Sequence, residues 1–241
     1  MPRIEVCFSP ALYPLVTSCD YALAVIDVLR ATTAICAAFD RGASGIIPVA
    51  NFEEAVLLKK QGYLLVAERD GLKPEIADLG NSPLGFNEGK VKDRILVFTT
   101  TNGTQAIDAA KNSVSLVIAS FSNISRVVKY FKEAKQDVLL LCSGWKNQFS
   151  LEDTLCAGAI AQCLSQHGRF TIESDSALAA VNLWNMAKDN LAQEVFASDH
   201  GRRLLALGLE DDIRFCLNMD TSPSLPVWNR EMLVDQLKTN Q

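Results

Sequence analysis

A short polar segment that directly follows an apolar run holds the residue types best suited to chemistry in this sequence. The run Leu23–Ile26 can be buried on both faces, as a central strand of a parallel sheet is, and it leads to Asp27 and Arg30. Thr32 and Thr33 add two hydroxyls. Ligands of open α/β sheets bind outside the carboxyl ends of the strands, where helix N-termini offer N–H groups to anions. The segment therefore predicts an anion site, with Asp27 as metal ligand or phosphoryl acceptor; a helix cap, or an ion pair with Arg30, is the alternative.

A second polar segment, Thr99–Thr104, follows the apolar run Ile95–Phe98 and offers hydroxyls together with backbone N–H groups. A glycine within it lets a phosphate approach the backbone closely. The segment lacks the Gly-x-x-x-x-Gly-Lys-Ser/Thr pattern of a P-loop, so an ordinary threonine-rich turn that caps a helix is the alternative. The candidate binding residues here are Thr100, Thr101, Asn102, Gly103 and Thr104.

Three further charged residues extend the pattern. Glu68 and Arg69 follow a strand predicted at Tyr63–Ala67, although a solvated charged turn is equally consistent with the sequence. Ser150 and Asp153 have the spacing of a capping box, and capping is the simpler interpretation of Asp153 from spacing alone.

The cysteines and histidines form no recognisable site in the sequence. A cysteine phosphatase would need arginine at position 148 to follow Cys142, and that position is Gln148, so core packing is the preferred interpretation of this cysteine. Two histidines, His167 and His200, are too few for a zinc cluster, and His200 is predicted to lie in a turn.

The two polar segments belong to an internal repeat. A shift of 72 positions aligns residues 23–58 with 95–130 without a gap and gives nine identical pairs. Both copies have the same order of strand, polar turn, alanine-rich helix, strand and helix that begins at asparagine. Thr99 takes the place of Asp27 in this alignment. We expect the two polar segments to face one pocket.

Composition and charge limit the class of protein. The chain has 241 residues, of which 49% are hydrophobic, and alternating strands and helices predict a three-layer α/β/α fold with a largely parallel sheet and two related βα lobes. We place the boundary near residue 90, giving lobes 1–90 and 91–241, which can also form one continuous unit. The polar, proline-containing tail from Asp211 is predicted to wrap the surface.

The same data bear on partners and location. The net charge of −5, without a basic stripe, argues against nucleic acid and anionic membranes as partners. No apolar run approaches the roughly 20 residues of a membrane span. Seven cysteines without a Cys-x-x-Cys pair, and no signal-peptide pattern at the start, predict a cytoplasmic protein.

Six motifs, taken together, resemble the 2-phosphosulfolactate phosphatase family. They are Asp27–Thr33, Glu68-Arg69, Asp78–Pro83, Thr99–Thr104, Ser150–Asp153 followed by Ala157–Ala159, and Ser198-x-His200-Gly201. Their order and spacing agree with the family across nearly the whole chain, although Ala67 stands where the family pattern has glycine.

The resemblance implies a Mg²⁺-dependent phosphatase that hydrolyses (R)-2-phospho-3-sulfolactate to 3-sulfolactate and phosphate, a step of coenzyme M biosynthesis. The substrate is then a small phosphorylated anion. On this basis Asp27 and Glu68 are the expected metal ligands, and Asp27 is also a catalytic candidate. Asp153 is a third ligand or a general acid, while Arg30 and Arg69 pair with anionic oxygens of the substrate. A phosphotransferase and a small-anion binding module without catalysis stay as alternatives, and a homodimer stays open.

Overall fold

Ten strands and eleven α-helices make up the described chain, which comprises residues 1–16, 20–166 and 168–239 of a computed structural model. Cys19 and His167 lie outside the described residues. The strands are β1 (Arg3–Cys7), β2 (Ala22–Ile26), β3 (Gly45–Pro48), β4 (Leu64–Ala67), β5 (Ile95–Thr99), β6 (Ser115–Ala119), β7 (Val138–Cys142), β8 (Thr171–Ile172), β9 (Pro226–Trp228) and β10 (Leu233–Asp235). The helices are α1 (Ala31–Asp40), α2 (Phe52–Lys60), α3 (Glu88–Val91), α4 (Gly103–Ala110), α5 (Ile124–Ala134), α6 (Leu151–Ser165), α7 (Asp175–Ala187), α8 (Leu191–Ala197), α9 (Asp199–Ala206), α10 (Glu210–Cys216) and α11 (Gln236–Thr239).

The strands form one sheet in the order β4-β5-β3-β10-β9-β6-β2-β7-β1-β8. Two parallel blocks, β4-β5-β3 and β6-β2-β7-β1-β8, are joined by the antiparallel hairpin β9-β10. This confirms the predicted α/β/α fold with a largely parallel sheet. The prediction for the tail after Asp211 is wrong, because this segment supplies α10 and the hairpin in the middle of the sheet. Leu233 of β10 has no exposed surface, which explains why the segment is drawn into the core rather than onto the surface.

The sequence repeat appears as a repeat of structure. The first copy is β2-α1-β3-α2-β4 and the second is β5-α4-β6-α5-β7. The first strand of each copy pairs with the second strand of the other, since β2 lies beside β6 and β5 lies beside β3. Outwards from the hairpin, the strands β3, β5 and β4 on one side therefore correspond to β6, β2 and β7 on the other. The division into lobes 1–90 and 91–241 stays a prediction, and strands from both ranges lie within each parallel block.

Residues that follow the carboxyl ends of both blocks meet at one pocket, which fits the usual twist of a sheet. Three antiparallel pairings in succession separate β6 from β3, so the blocks run in opposite directions. Adjacent strands rotate by roughly 20–25°, and the five steps from β2 to β5 then add to roughly 100–125°. Helices α1 and α4 pack between the blocks in one core with residues of β2, β4 and β5.

Strand β2 is buried on both faces, as its apolar run predicts. Leu23 and Val25 belong to the core around α1 and α4, whereas Ala22, Ala24 and Ile26 belong to the core beneath α5, α6 and α7. The alternation follows from the period of two in a strand. Among the described residues, no helix is both long and apolar enough to cross a membrane.

Candidate active site

The turn between β2 and α1 fixes the carboxylate of Asp27. The Thr32 hydroxyl donates to the Asp27 carbonyl at 2.8 Å and accepts from the Asp27 N–H at 3.0 Å. The Ala31 N–H donates to Asp27 Oδ1 at 3.2 Å, and the Thr33 hydroxyl donates to the Val28 carbonyl at 3.0 Å. Thr32 and Thr33 have no exposed surface. Their hydroxyls hold the turn in this structure, and their contact with substrate stays a prediction.

The turn between β5 and α4 repeats this hydrogen-bond pattern with different chemistry. The Thr100 N–H donates to Thr104 Oγ1 at 3.1 Å, and the Thr104 hydroxyl donates back to the Thr100 carbonyl at 3.0 Å. Thr100 is therefore the counterpart of Asp27. The predicted counterpart, Thr99, is wrong by one position, because Thr99 is the last residue of β5 and the second turn is one residue shorter.

Helices α1 and α4 begin against each other at Asp27. A Cβ atom on Gly103 would lie 2.5 Å from Ala31 Cβ and 2.7 Å from Asp27 Oδ2, so only glycine fits at this position. The positive ends of two helix dipoles therefore lie close to one carboxylate. The two polar segments do face one pocket, as the sequence predicts, because Asp27, Thr100 and Asn102 all line it.

Glu68 connects the loop after β4 to the turn after β5. Its Oε1 accepts hydrogen bonds from the Gly71 N–H and from the Thr101 hydroxyl, the latter at 3.2 Å. Its Oε2 accepts the Thr101 N–H at 3.1 Å. The side chain is buried and lines the same pocket as Asp27. The two carboxylates predicted as metal ligands thus lie at one cavity.

Asp153 lies behind the wall of this cavity. Its Oδ1 accepts the Val28 N–H at 2.8 Å and its Oδ2 accepts the Gly144 N–H at 3.1 Å. Ser150 caps α6 by accepting the Asp153 N–H, which confirms capping by Ser150, but the capping interpretation of the Asp153 carboxylate is wrong because its two oxygens bind the Val28 and Gly144 N–H groups. Burial, followed by the charges of Glu152 and Asp27, raises the pKa of Asp153. Its catalytic role stays a prediction, since its carboxylate holds two loops in place and does not line the cavity.

Arg30 is held rigidly at the edge of the cavity. Its guanidinium pairs with Asp212 of α10 and donates to the Gly71 carbonyl at 2.7 Å. Asp212 in turn accepts the Ser82 hydroxyl at 2.7 Å. Both members of the ion pair are buried. Sequence reasoning missed Asp212, and the only signal for Ser82 is its place in the Asp78–Pro83 motif.

Arg203, rather than Arg69, is the second arginine at the cavity. Arg69 donates to Thr99 Oγ1 at 2.9 Å and lies over the Phe52 ring, 4.6 Å from its centroid, outside the lining. Arg203 lines the cavity and stacks on Trp145, with its guanidinium carbon 3.7 Å from the ring centroid. Burial lowers the pKa of Arg203. Its Nε is buried without a hydrogen-bond partner in the described part of the chain, so this guanidinium can still bind a ligand.

A histidine and a glutamate complete the site. His200 lies in the first turn of α9 and lines the cavity, so the predicted turn is wrong. Its Nδ1 is 2.7 Å from Glu152 Oε1, and its ring packs against Trp145 with 5.4 Å between centroids. Burial alone would raise the pKa of Glu152, but the hydrogen bond and charge of His200 hold it below its ordinary value. The Ser198-x-His200-Gly201 motif was the available signal.

These side chains line a narrow pocket of about 10 Å³, roughly the space of one water molecule. Its lining comprises Asp27, Leu29, Arg30, Glu68, Gly71, Asn81, Thr100, Asn102, Trp145, His200, Arg203 and Leu204. A wider cleft of about 390 Å³ lies beside it, and Trp145, His200 and Arg203 belong to both. Burial raises the pKa of Asp27 to about 6, partly offset by His200 and reinforced by Glu68 and Glu152. Cys142 is fully buried and burial raises its thiol pKa, which confirms core packing.

The donor set fits a magnesium ion that binds together with a substrate. Among the described residues, no group of three or more His, Cys, Asp or Glu side chains is arranged to hold a metal ion. Mg²⁺ in phosphate chemistry usually keeps several waters and takes one or two carboxylates plus phosphate oxygens. Asp27 and Glu68, both at the cavity, match that requirement.

Comparison with known proteins agrees with this geometry. The sequence profile of the family described as 2-phosphosulpholactate phosphatase matches residues 7–231. A protein of Thermotoga maritima named "Probable 2-phosphosulfolactate phosphatase" is 44% identical over 202 residues, covering 84% of this chain and 86% of the relative. One of Microcystis aeruginosa with the same name is 34% identical over 241 residues, covering 98% and 100%. The chain therefore belongs to the 2-phosphosulpholactate phosphatase family, a family of phosphoric monoester hydrolases.

Proposed function

We propose that this protein is a Mg²⁺-dependent phosphatase that hydrolyses (R)-2-phospho-3-sulfolactate to 3-sulfolactate and phosphate. Family membership and the names of the relatives support the substrate. The observation that carries the proposal is the convergence of two buried carboxylates, Asp27 and Glu68, with two arginines, Arg30 and Arg203, at one cavity.

The charge of the cavity suits such a substrate. A phosphate, a sulfonate and a carboxylate on three carbons carry about four negative charges near neutral pH, given a second phosphate pKa near 6. Arg30 is fixed by Asp212 and can present its remaining N–H groups without loss of side-chain entropy. Arg203 supplies a second guanidinium, and the N-termini of α1 and α4 add positive partial charge.

Asp27 and Glu68 are the residues that would hold Mg²⁺. The ion would neutralise charge on the phosphoryl group and favour ionisation of a bound water. The cavity carboxylates are already oriented for this, because backbone N–H groups of Ala31, Gly71 and Thr101 fix them. Such preorganisation avoids reorganisation during the reaction.

The threonine-rich turn has a divided role in the proposal. Thr100 and Asn102 line the cavity and would contact the phosphate, and Gly103 keeps the space beside Asp27 clear. Thr101 and Thr104 act through their hydrogen bonds to Glu68 and Thr100.

A phosphate-release screen tests the function. We expect release from 2-phosphosulfolactate with Mg²⁺, slower release from phospholactate and phosphoglycerate, and none with EDTA. Release only when a second acceptor is added would instead indicate a phosphotransferase. Tight binding of phosphosulfolactate without turnover would indicate a small-anion binding module.

A further inference from the structure

The wall between the cavity and the wider cleft contains a histidine whose position suggests a role in the reaction. We propose that His200 donates a proton to the leaving alcohol during phosphoester hydrolysis, and that Glu152 positions its imidazole. This inference rests on the proposed phosphatase function. It assigns the proton donor to His200 rather than to Asp153, the residue that the sequence resemblance offers as general acid.

The hydrogen bond of His200 fixes the orientation of its ring. Nδ1 is 2.7 Å from Glu152 Oε1, and Glu152 is 1% exposed. In the imidazolium form this bond keeps the Nδ1 proton, so Nε2–H is the one available for donation. No hydrogen bond occupies Nε2 within the described ranges. Trp145 packs against the ring and further restricts its rotation.

His200 is the strongest partner of the Glu152 carboxylate, ahead of hydrogen bonds from Ser150 and from the backbone of Glu152. Glu152 Oε2 is buried and has no hydrogen-bond partner in the described part of the chain. A hydrogen bond to a buried carboxylate is strong because the local dielectric is low. The carboxylate therefore holds the imidazole in one orientation and one tautomer, which makes Glu152 a positioning residue.

The position of His200 between two spaces matches the position of the scissile bond. The cavity offers carboxylates and arginine to the phosphoryl group. The cleft of about 390 Å³, lined in part by Gln148, Ser198 and Arg202, can hold the organic acid. A substrate that spans both spaces has its ester oxygen at their boundary, where His200 lies.

Asp153 is a weaker candidate for the same role. Both of its oxygens accept backbone N–H groups, from Val28 and Gly144, and it lies outside the cavity lining. A carboxylate used in this way holds loops and has no proton directed at the substrate.

The proposed step balances as follows. The bond between phosphorus and the ester oxygen breaks, and its electron pair stays on that oxygen, which takes the proton from His200 Nε2. A water oxygen forms the new bond to phosphorus and releases its proton to solvent. His200 regains a proton from water in the open cleft. The products are the alcohol and inorganic phosphate.

The test compares two leaving groups in His200→Gln and Glu152→Gln. 2-Phosphosulfolactate leaves an aliphatic alkoxide that needs protonation, whereas p-nitrophenyl phosphate leaves a stable phenolate. General acid catalysis contributes roughly 10²- to 10⁴-fold, so we expect His200→Gln to lose this factor in kcat on phosphosulfolactate. On nitrophenyl phosphate the loss should stay below roughly 10-fold. Glu152→Gln should also lose more activity on phosphosulfolactate than on nitrophenyl phosphate, with a smaller loss than His200→Gln. The control Glu210→Gln, at an exposed ion pair of α10, should change neither rate.

Equal losses on both substrates, or unchanged rates, would overturn the proposal. His200→Ala gives a second measurement, because the open cleft admits free imidazole, which should restore turnover of phosphosulfolactate only. If the variants do not fold, the wild-type protein can be tested with a series of substituted phenyl phosphates. A shallow dependence of kcat on leaving-group pKa supports the proton donor, and a steep one contradicts it. Failure of the proposed function itself would appear differently, as no phosphate release by the wild-type protein from any substrate.

Discussion

The two copies of the repeat build the same scaffold and place different chemistry on it. In both, a threonine at the start of the helix exchanges hydrogen bonds with the residue after the strand, Thr32 with Asp27 and Thr104 with Thr100. The first copy thus presents a carboxylate where the second presents a hydroxyl. The conformation of the turn and the chemistry at its tip are therefore separable, since the same turn geometry accommodates either side chain.

The carboxylates that connect the loops extend the comparison. Each accepts two backbone N–H groups, one from its own block's outer loop and one from the turn before α1 or α4. The bonds are Glu68 to Gly71 and Thr101, and Asp153 to Gly144 and Val28. Only Glu68 also lines the cavity. Equivalent hydrogen bonding can therefore belong to a candidate ligand in one half and to a structural residue in the other.

The largest expected difference between the copies is at the residue after the strand. Asp27→Asn should lower Mg²⁺-dependent kcat/KM by about 10³-fold or more, because it removes a charged contact to the metal and transition state. Thr100→Val should cost less than about 10-fold, together with about 1 kcal/mol of stability from the lost hydrogen bond that the Thr100 hydroxyl accepts from the Thr104 N–H. Steady-state kinetics and urea unfolding check both. If Asp27→Asn kept its activity within a few-fold of wild type, Asp27 and Thr100 would not differ in their contribution to catalysis.

The arginines give a smaller effect. Arg203→Ala should lower kcat/KM by roughly 10- to 100-fold, since a hydrogen bond to a charged group is worth about 1.5–3 kcal/mol. Arg69→Ala should leave kcat/KM within about three-fold and lower the free energy of unfolding by about 1 kcal/mol, through lost contact with Phe52. A larger loss of kcat/KM in Arg69→Ala than in Arg203→Ala would show that Arg69 turns towards the substrate when the substrate binds.

The contact between the two helix starts gives a third prediction. Gly103→Ala should lower kcat by about 10-fold, because the added methyl group forces α4 away from Asp27 and Ala31. The matched change in the first copy, Ala31→Gly, adds no atoms and should cost only about 0.5–1 kcal/mol of stability. Unaltered kinetics of Gly103→Ala would mean that the helix starts separate in solution.

The smallest effect concerns stability and pH in the metal-free protein. Burial raises the folded-state pKa of Asp27 to about 6, above the roughly 3.9 of an unfolded chain. The folded state therefore binds this proton more tightly, and the stabilisation present below about pH 4 is lost as pH rises through about 6. Between pH 5 and 6 the loss is about 1 kcal/mol. Asp27→Asn in EDTA should lack this decline in urea unfolding, whereas identical profiles would contradict the assigned pKa.

Most of what the sequence could predict was local. The turn at Asp27 and the capping by Ser150 depend on residues within a few positions of one another. The meeting of the two polar segments was predictable across 72 positions because the repeat gives both segments the same order of elements. Side-chain direction was not predictable in this way. Arg69 follows its strand as expected, yet it turns to Phe52, 17 positions earlier in the chain. The sequence pattern predicts where the strand ends, but it does not predict the direction in which the long side chain of Arg69 points.

The missed site residues come from distant helices. His200 depends on Glu152, and Arg30 depends on Asp212, across 48 and 182 positions of chain. Such pairings follow from how α6, α9 and α10 pack on the sheet, and a single sequence holds no signal for them. The prediction of a surface position for the tail after Asp211 was wrong for a related reason. Short proline-containing strands have the composition of surface turns, and their pairing with β3 and β6 depends on residues far away in the sequence.

The hairpin β9-β10 has a consequence for the order of events during synthesis. In the sequence, β9 and β10 come after β6 and β3, the strands that they join. The pairs are Val117–Val227 between β6 and β9, and Ile46–Leu233 between β3 and β10. A nascent chain that has emerged only as far as α10 has both blocks but lacks the link between them. Long-range strand pairing of this kind is slow and leaves sheet edges exposed meanwhile. We therefore expect ribosome-bound chains that end before the hairpin to need chaperone protection and to be inactive until its strands are added.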